Sequence, residues 1–254
     1  MYQAIYTGAM GVNAQQTRLD VIADNMANVN TPGFKSSVMR FQDALYAAVQ
    51  DPSDANSDKN LQIGMGVLPS SVMRNFTQGQ TNVTGEPLDF LIDGNGFFAI
   101  QDTDGTVAYT RVGTFNISVE QDGEYLVNGA GLYVLDEAGQ RIKMQGAIST
   151  QSVNAGGQIS DGANEPYARI GVYDFPNKNG LLAKGGGLFT ESVNSGAVQA
   201  VETPNVLQGA IESSNVDTAL EMTLMIRSQR ALSLASRCIT TADTMEGQTN
   251  NIRA

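Results

Sequence analysis

The sequence predicts an α+β protein in which a long helix at each end of the chain flanks a central all-β region. Three observations lead to this fold class. Apolar residues recur at helical spacing near both termini, and short apolar runs separated by Gly- and Asp-rich turns fill the centre. The formal net charge is −11, and both the acidic excess and most of the glycine lie between residues 51 and 205. The two nearly neutral ends therefore differ in kind from the centre.

The N-terminal segment has the spacing of a heptad-type helix with one polar break at Gln16. Its seam alternates steps of four and three residues and comprises Ile5, Ala9, Val12, Gln16, Leu19, Ala23 and Met26. The pattern stops before Pro32 and Gly33, which do not continue a helix. We therefore expect a helix on the order of 40 Å long.

The C-terminal segment predicts a longer helix with two apolar stripes. Ser213, Ser214 or Asn215 is expected to cap its N-terminus. The first stripe comprises Leu220, Leu224, Arg227, Ala231, Leu234, Cys238, Thr241 and Met245. The second comprises Met222, Met225, Leu232, Ala235, Ile239 and Ala242. Two stripes favour burial by more than one partner.

Two interpretations of these stripes remain open. The terminal helices could pack on each other within one monomer, which would bury one face of each. Packing between copies is favoured, because the in-chain arrangement leaves the second C-terminal stripe unexplained. The positions predicted to pack between subunits are Ile5, Val12, Leu19, Ala23, Met26, Leu220, Leu224, Ala231, Leu234 and Cys238.

The centre predicts short strands typical of a sandwich or small barrel. Residues 88–92 and 97–100 flank the turn 93–96 and predict a β-hairpin. Later strands are expected at 107–110, 114–119, 124–127, 132–135, 141–144 and 168–175. The polar stretches 51–60 and 151–165 are expected to be linkers or loops, and three consecutive glycines at 185–187 predict a flexible join.

The composition excludes several classes of function. The chain has no His and one Cys, which excludes Ser-His-Asp triads, His-ligated zinc and internal disulfides. Its acidity argues against binding nucleic acid. The G-x-G-x-x-A pattern at 94–99 precedes an expected strand rather than the helix that a dinucleotide site needs, and 102–105 lacks the rest of a calcium loop. No catalytic, cofactor or metal residue is therefore predicted, and neither a signal peptide nor a membrane-spanning run is recognised.

Several blocks of the chain resemble the bacterial flagellar axial proteins of rod and hook. The first is LDVIADNMANVNTPGFK at 19–35, and FQDALY follows at 41–46. Further blocks, in family order, are LQIGMGV (61–67), TQGQTNVTGEPLDFLIDGNGFF (77–98), DGTVAYTRVGTF (104–115) and LQGAIESSNVDTALEMTLMIRSQRAL (207–232). LQIGMGV and ITTADTM (239–245) are most similar to the distal type of rod protein. Asp24 departs from the pattern, since Asn is common there.

The resemblance implies a domain organisation. Residues 1–50 and 206–254 would form a helical assembly domain whose helices build a coiled-coil-like inner layer. Residues 51–87 and 185–205 would be extended linking segments, and 88–184 the central β domain. The N-terminal helix would turn outward at the family motif, whose residues are Asn25, Asn28, Asn30, Thr31, Gly33 and Phe34.

The resemblance also implies a function, namely a structural subunit of the flagellar basal-body rod in the cell envelope. Copies would polymerise into a helical tube that transmits torque from motor to hook, without a cofactor or a small-molecule substrate. Expected partners are copies of the chain, other rod and hook proteins, and the type III export apparatus, which would export it without a cleaved signal peptide. The alternatives are a proximal rod or hook-like protein, an acidic monomeric binding module, and a carboxylate-based hydrolase.

Overall fold

A computed structural model of the chain describes residues 2–48, 62–102, 105–146, 148–162 and 165–253. Helix α1 spans Tyr2–Ala27 and helix α2 spans Thr218–Arg253. The described residues between them are mostly β, so the predicted α+β class is confirmed. No helix in these described ranges combines the length and apolarity needed to cross a membrane.

The helix ends follow from local capping chemistry. α1 ends at Ala27, and a turn follows in which the Thr31 amide donates to the Asn28 carbonyl at 3.1 Å. At the start of α2, the Asp217 carboxylate accepts hydrogen bonds from the amides of Ala219 and Leu220, at 2.9 and 3.1 Å. The N-cap is therefore Asp217, and the expectation of a cap at 213–215 was wrong.

The described chain divides into two compact units, here called the terminal unit and the central unit. The terminal unit comprises Met1–Ala27, Ser37–Asn75 and Asp217–Ala254, and the central unit comprises Asn28–Ser36 and Phe76–Val216. This division differs from the sequence-based one at several places: residues 62–75 belong with the helices, whereas 28–36, 76–87 and 185–216 belong with the central strands.

The described residues of the terminal unit form four strands besides the helices. These are β1 (Ser37–Asp43), β2 (Tyr46–Ala48), β3 (Gln62–Gly64) and β4 (Val67–Arg74). β1 pairs antiparallel with β4, with a register shift between Arg40 and Phe41, and β2 pairs antiparallel with β3. Residues 62–74 thus form paired strands within this unit. The polar stretch 51–60 lies outside the described residues.

The central unit contains the other strands. They are β5 (Thr81–Val83), β6 (Phe90–Ile92), β7 (Phe97–Gln101), β8 (Val107–Thr110), β9 (Phe115–Glu120), β10 (Gly123–Asn128), β11 (Tyr133–Val134), β12 (Lys143–Met144), β13 (Gln151–Val153), β14 (Gln158–Asp161), β15 (Ala168–Arg169), β16 (Val172–Asp174), β17 (Leu182–Gly185), β18 (Leu188–Thr190), β19 (Gln199–Ala200), β20 (Val206–Gln208) and β21 (Ala210–Glu212). Ten of these described strands join one antiparallel sheet that contains β7, β8, β10 and β18. Short 3-10 helices occupy Ile148–Thr150 and Lys178–Gly180.

Strand β7 separates two hydrophobic cores of the central unit. Phe98 and Ile100 join one buried cluster, whereas Phe97 and Ala99 join the other. Because successive side chains of a strand point to opposite faces, a strand buried on both faces is apolar throughout. The short run Phe97-Phe98-Ala99-Ile100 meets this requirement, and all four side chains are buried.

The predicted hairpin between residues 88–92 and 97–100 does not form. Both strands exist, but β6 pairs with β20, whereas β7 pairs with β8, β11 and β16. Positive φ angles at Gly94 (101°) and Gly96 (132°) alternate with an ordinary φ at Asn95, which is not the pattern of a two-residue hairpin turn. The Arg111 guanidinium also donates hydrogen bonds to the carbonyls of Ile92 and Gly94.

Two segments expected to be irregular are ordered. Residues 151–153 and 158–161 pair as β13 and β14, and Ile159 of β14 is fully buried, so the expectation of a loop there was wrong. The glycines at 185–187, each with positive φ, connect β17 to β18, which pair antiparallel. Glycine adopts positive φ without a steric penalty, so these three residues form the connection that reverses the chain between β17 and β18.

Candidate assembly surface

Helices α1 and α2 pack against each other within the terminal unit and run antiparallel. Near one end, Asn25 Nδ2 donates to Glu221 Oε1 at 2.8 Å. Near the other, a Cβ at Gly8 would lie only 2.8 Å from Cγ1 of Ile239, and one at Gly11 would lie 3.7 Å from the Ala235 methyl group. Small residues therefore allow the close approach of the two helices.

The face of α2 that contacts α1 follows a spacing of four and three residues. Its least exposed positions are Glu221, Met225, Ser228, Leu232, Ala235, Ile239, Ala242 and Glu246. This face contains most of the second predicted stripe, although Met222 is exposed. The in-chain interpretation therefore accounts for one stripe of α2 and leaves the other on the surface.

None of the ten positions predicted to pack between subunits is fully buried. Exposed are Ala23, Leu220, Leu234 and Cys238; half-buried are Ile5, Val12, Leu19, Met26, Leu224 and Ala231. Leu220 is 55% and Leu234 62% exposed. Cys238 is exposed too, so it is not a core residue of the monomer. These residues form apolar surface, which we call the outer stripes of α1 and α2.

The two outer stripes lie on opposite sides of the helix pair. At about 100° per residue, each stripe is centred roughly 100° from the face that contacts the other helix. The angle from the inner face to the stripe is positive on α1 and negative on α2, counted in the direction of increasing residue number. Because this direction rotates in opposite senses in two antiparallel helices, the stripes lie on opposite sides of the plane that contains both helix axes. A contact between the α1 stripe of one copy and the α2 stripe of another would therefore join different surfaces, which is the heterologous arrangement that produces open polymers.

Asn25 of the family motif binds three elements of the terminal unit together. Its side-chain amide donates to the Ser37 carbonyl and to Glu221, and its oxygen accepts from the Ser37 amide, each at 2.8 Å. Asn25 is buried, and these bonds satisfy both its donor and its acceptor groups. The side chain thus fixes the end of α1 to the start of β1 and to the first turn of α2.

Glu221 is less completely satisfied than Asn25. Its Oε2 is buried and makes no hydrogen bond within the described part of the chain. Burial raises the pKa of Glu221 above its ordinary value of 4.5, and the bond from Asn25 opposes this rise only in part. A cavity of 50 Å³ lies beside the carboxylate, lined also by Arg18 and Ser37.

The rest of the family motif forms the turn after α1. Gly33 has φ +67°, and a Cβ there would lie 2.9 Å from the Arg111 carbonyl carbon. Any other residue would combine a left-handed backbone with a steric clash. Thr31 Oγ1 donates to Asn28 Oδ1 at 3.2 Å, and the Phe34 amide donates to the Thr31 carbonyl at 3.3 Å, while Asn30 is exposed.

A buried ionic cluster of the central unit was not predicted from the sequence. Lys35 Nζ donates to Glu212 Oε1 and, at 2.8 Å, to the Thr77 carbonyl, and Arg111 lies 3.3 Å from Glu212 Oε2. The Gly79 amide also donates to Glu212 Oε1 at 2.7 Å. Burial lowers the pKa of Lys35 and that of Arg111, although the Glu212 carboxylate opposes both shifts.

The ionic cluster had a signal in the sequence that charge counting does not detect. Lys35, Arg111 and Glu212 each lie inside one of the blocks that carry the family resemblance. Each side chain is at most 5% exposed, although Lys, Arg and Glu are almost never buried without partners. Together they fix the turn at Gly33, whose amide donates to the Glu212 carbonyl at 2.7 Å.

Two open apolar cavities of the terminal unit adjoin the helices. One of 570 Å³ is lined by Gln3, Tyr6, Ala44, Leu45, Met65 and Leu68. The other, of 630 Å³, is lined mostly by small residues of the helices, including Gly8, Gly11, Ala235 and Cys238. Within the described ranges, no cluster of three or more His, Cys, Asp or Glu side chains has the arrangement of a metal site. These apolar surfaces suit protein contacts.

Three family models match the chain in order along its length. Residues 5–35 match "Flagella basal body rod protein", 91–161 match "Flagellar hook protein FlgE/F/G D1 domain", and 207–252 match "Flagellar basal body rod FlgEFG protein C-terminal". The matches thus cover both terminal helices and part of the central unit.

Full-length relatives give the same result. The flagellar basal-body rod protein FlgG of Bacillus subtilis is 36% identical, with all of both chains aligned. FlgG of Caulobacter vibrioides is 37% identical over 99% of this chain and all of its own length. The FlgF rod protein of Caulobacter vibrioides is 34% identical over 91% of this chain and 89% of its own.

Proposed function

The chain belongs to the family of flagellar basal-body rod proteins, and from this membership we propose that its copies polymerise through the terminal unit into the helical tube of the distal rod. It is a structural subunit of the basal body and not an enzyme, because its relatives are rod proteins. In the rod it assembles with other rod and hook proteins and transmits torque from motor to hook.

The observation that carries the polymerisation proposal is the pair of outer stripes on opposite sides of the helix pair. Large apolar side chains such as Leu220 and Leu234 remain exposed although the two helices already cover each other. Contiguous exposed apolar surface marks an interaction site. We infer that the helices of neighbouring copies cover these stripes and build the coiled-coil-like inner layer.

The same proposal assigns the predicted domains to layers of the tube. The helices of residues 1–50 and 206–254 form the inner layer, and the β domain of residues 88–184 faces outward. Support comes from the charge distribution, since the acidic, well-packed central region suits a solvated outer position, whereas the nearly neutral helices suit mutual packing.

We also propose that the chain is exported through the flagellar type III apparatus without cleavage of its N-terminus. Helix α1 is part of the folded terminal unit, since Gly8 and Gly11 lie next to α2 and Ala14 is buried. Its removal would expose the inner face of α2.

A polymerisation assay with matched variants tests the proposal. Leu234→Asp places a charge in the outer stripe of α2, and Val193→Asp places one at a fully exposed apolar position of the central unit. We expect purified Leu234→Asp protein to stay in the supernatant after sedimentation at concentrations where the unaltered chain forms tubes visible by electron microscopy. Val193→Asp should form tubes normally. Normal tubes from Leu234→Asp would contradict the role of the stripe.

A further inference from the structure

Charges on the exposed poles of the helix pair are segregated by sign. The exposed charged residues of α1 are Asp20 and Asp24. Between residues 218 and 240 of α2, the exposed charged residues are Arg227, Arg230 and Arg237, and the one acid, Glu221, is buried. Over these residues, α1 therefore offers negative charges to solvent and α2 offers positive ones.

Asp20 and Arg230 point away from each other within one chain. At about 100° per residue, Asp20 lies about half a turn from Gly11 and about 140° from Asn25, two α1 residues that lie next to α2. By the same measure, Arg230 lies about half a turn from Ser228 and Glu221 on the inner face of α2. Neither side chain makes a hydrogen bond or ion pair with any described residue. These two charges thus occupy opposite poles of the pair.

The two charges lie at similar heights along the helix axes. Because Asn25 is level with Glu221, Asp20 is level with about residue 226, and Arg230 is displaced by roughly 6 Å. A small axial stagger between adjacent copies, within the reach of an Arg side chain, would bring the pair together. Asp24 is a weaker candidate, because it already interacts electrostatically with Arg74 of β4.

We propose that Asp20 of one copy forms an ion pair with Arg230 of an adjacent copy, and that this contact selects the heterologous arrangement in the polymer. The contact rests on the proposed function, since its occupant is a second copy of this chain. A symmetric contact would bring two acidic poles or two basic poles together, which like-charge repulsion disfavours. Joining the acidic pole to the basic pole leaves a free pole at each end and so permits continuous addition of subunits.

Charge-swap variants of the full chain test the contact. Asp20→Arg gives a copy with two basic poles, and Arg230→Asp gives one with two acidic poles. For each variant alone we expect the critical concentration for polymerisation, measured by sedimentation, to rise about tenfold. An equimolar mixture of the two should polymerise near the concentration of the unaltered chain, because basic poles then meet acidic ones. A folding defect would not be rescued by mixing.

A control variant and two contrary outcomes distinguish failure of this contact from failure of the proposed function. Arg40→Asp reverses an exposed charge on β1 and should leave the critical concentration unchanged. If the single variants polymerise like the unaltered chain, or if the mixture shows no rescue, the Asp20–Arg230 contact is wrong while polymerisation through the terminal unit stands. If the unaltered chain forms no polymer at any concentration, the homopolymer proposal falls, and the contact falls with it.

Discussion

The two compact units bury their apolar residues to very different extents. Among the described residues, the buried apolar side chains of the terminal unit are Ala14, Ile22 and Ala242, and all others belong to the central unit. Most of the large exposed apolar residues are in the terminal unit, including Tyr6, Leu45, Leu220, Leu234 and Met245, although this unit has the smaller hydrophobic core.

The difference indicates which unit is complete in a single chain. The central unit has two aromatic-rich cores, whereas the terminal unit leaves the outer stripes of both helices half-buried or exposed. A helix is stabilised mainly by tertiary packing of its apolar face, so the terminal unit gains stability when a neighbour covers its outer stripes. The central unit gains little from assembly.

The largest expected contrast comes from removing one apolar side chain in each unit. Phe98 is 0% exposed, and its ring packs edge-on against Phe115 at a centroid distance of 5.3 Å. Phe98→Ala should lower the free energy of unfolding by about 3–5 kcal/mol, because it leaves a cavity. Leu234→Ala should change monomer stability by less than about 0.5 kcal/mol, since its side chain is already exposed.

Urea denaturation followed by tyrosine fluorescence and by helical circular dichroism measures both effects. The same two variants should reverse their order in the polymerisation assay, where Leu234→Ala loses a contact between copies. Equal losses of monomer stability would show that the outer stripe of α2 is covered within the chain, and the contrast between the units would disappear.

The second contrast concerns the ionic cluster of the central unit. Glu212→Gln leaves Lys35 and Arg111 buried without an anion and should lower the free energy of unfolding by about 3 kcal/mol. Lys35→Met leaves Glu212 paired with Arg111 and should cost less, because one cation still balances the carboxylate. A larger loss for Lys35→Met would show that Arg111 does not compensate Glu212.

The pH dependence of Glu212→Gln gives an independent check. Burial already lowers the pKa of Lys35, and loss of the carboxylate removes the group that opposes this shift. The folded state would then bind fewer protons than the unfolded state, so the stability of the variant should rise with pH as Lys35 loses its proton. A flat profile up to the ordinary Lys range would contradict this.

Local sequence patterns predicted where the helices and strands lie better than they predicted which of these elements contact each other. Period-two and heptad spacing located both helices and most central strands. The partners of β6 and β7 depended on residues far along the chain, namely β20 for β6 and the Arg111 side chain for the turn between the strands. Turn chemistry alone favoured a hairpin, because it contains no information on these distant groups.

The inner face of α1 was missed for a different physical reason. The large residues Ile5, Val12 and Leu19 define the obvious seam, but the side that contacts α2 includes small ones, namely Gly8 and Gly11. Close helix packing requires small side chains, which contribute little to an apolar pattern. Exposed large residues beside a small-residue seam are thus the signature of a helix with two partners.

The smallest expected effect distinguishes the Asn25–Glu221 hydrogen bond of the terminal unit from the ionic cluster of the central unit. Glu221 accepts a hydrogen bond from Asn25, whereas Glu212 accepts hydrogen bonds from Lys35 and the Gly79 amide and forms an ion pair with Arg111. Because its folded pKa is raised above 4.5, Glu221 binds more protons in the folded state, and stability should fall as pH rises from about 4.5 through the raised pKa. Glu221→Gln should remove this fall and make the terminal unit more stable at neutral pH, as measured by the helical signal in urea. A loss of stability at neutral pH would instead show that the folded state compensates the ionised carboxylate.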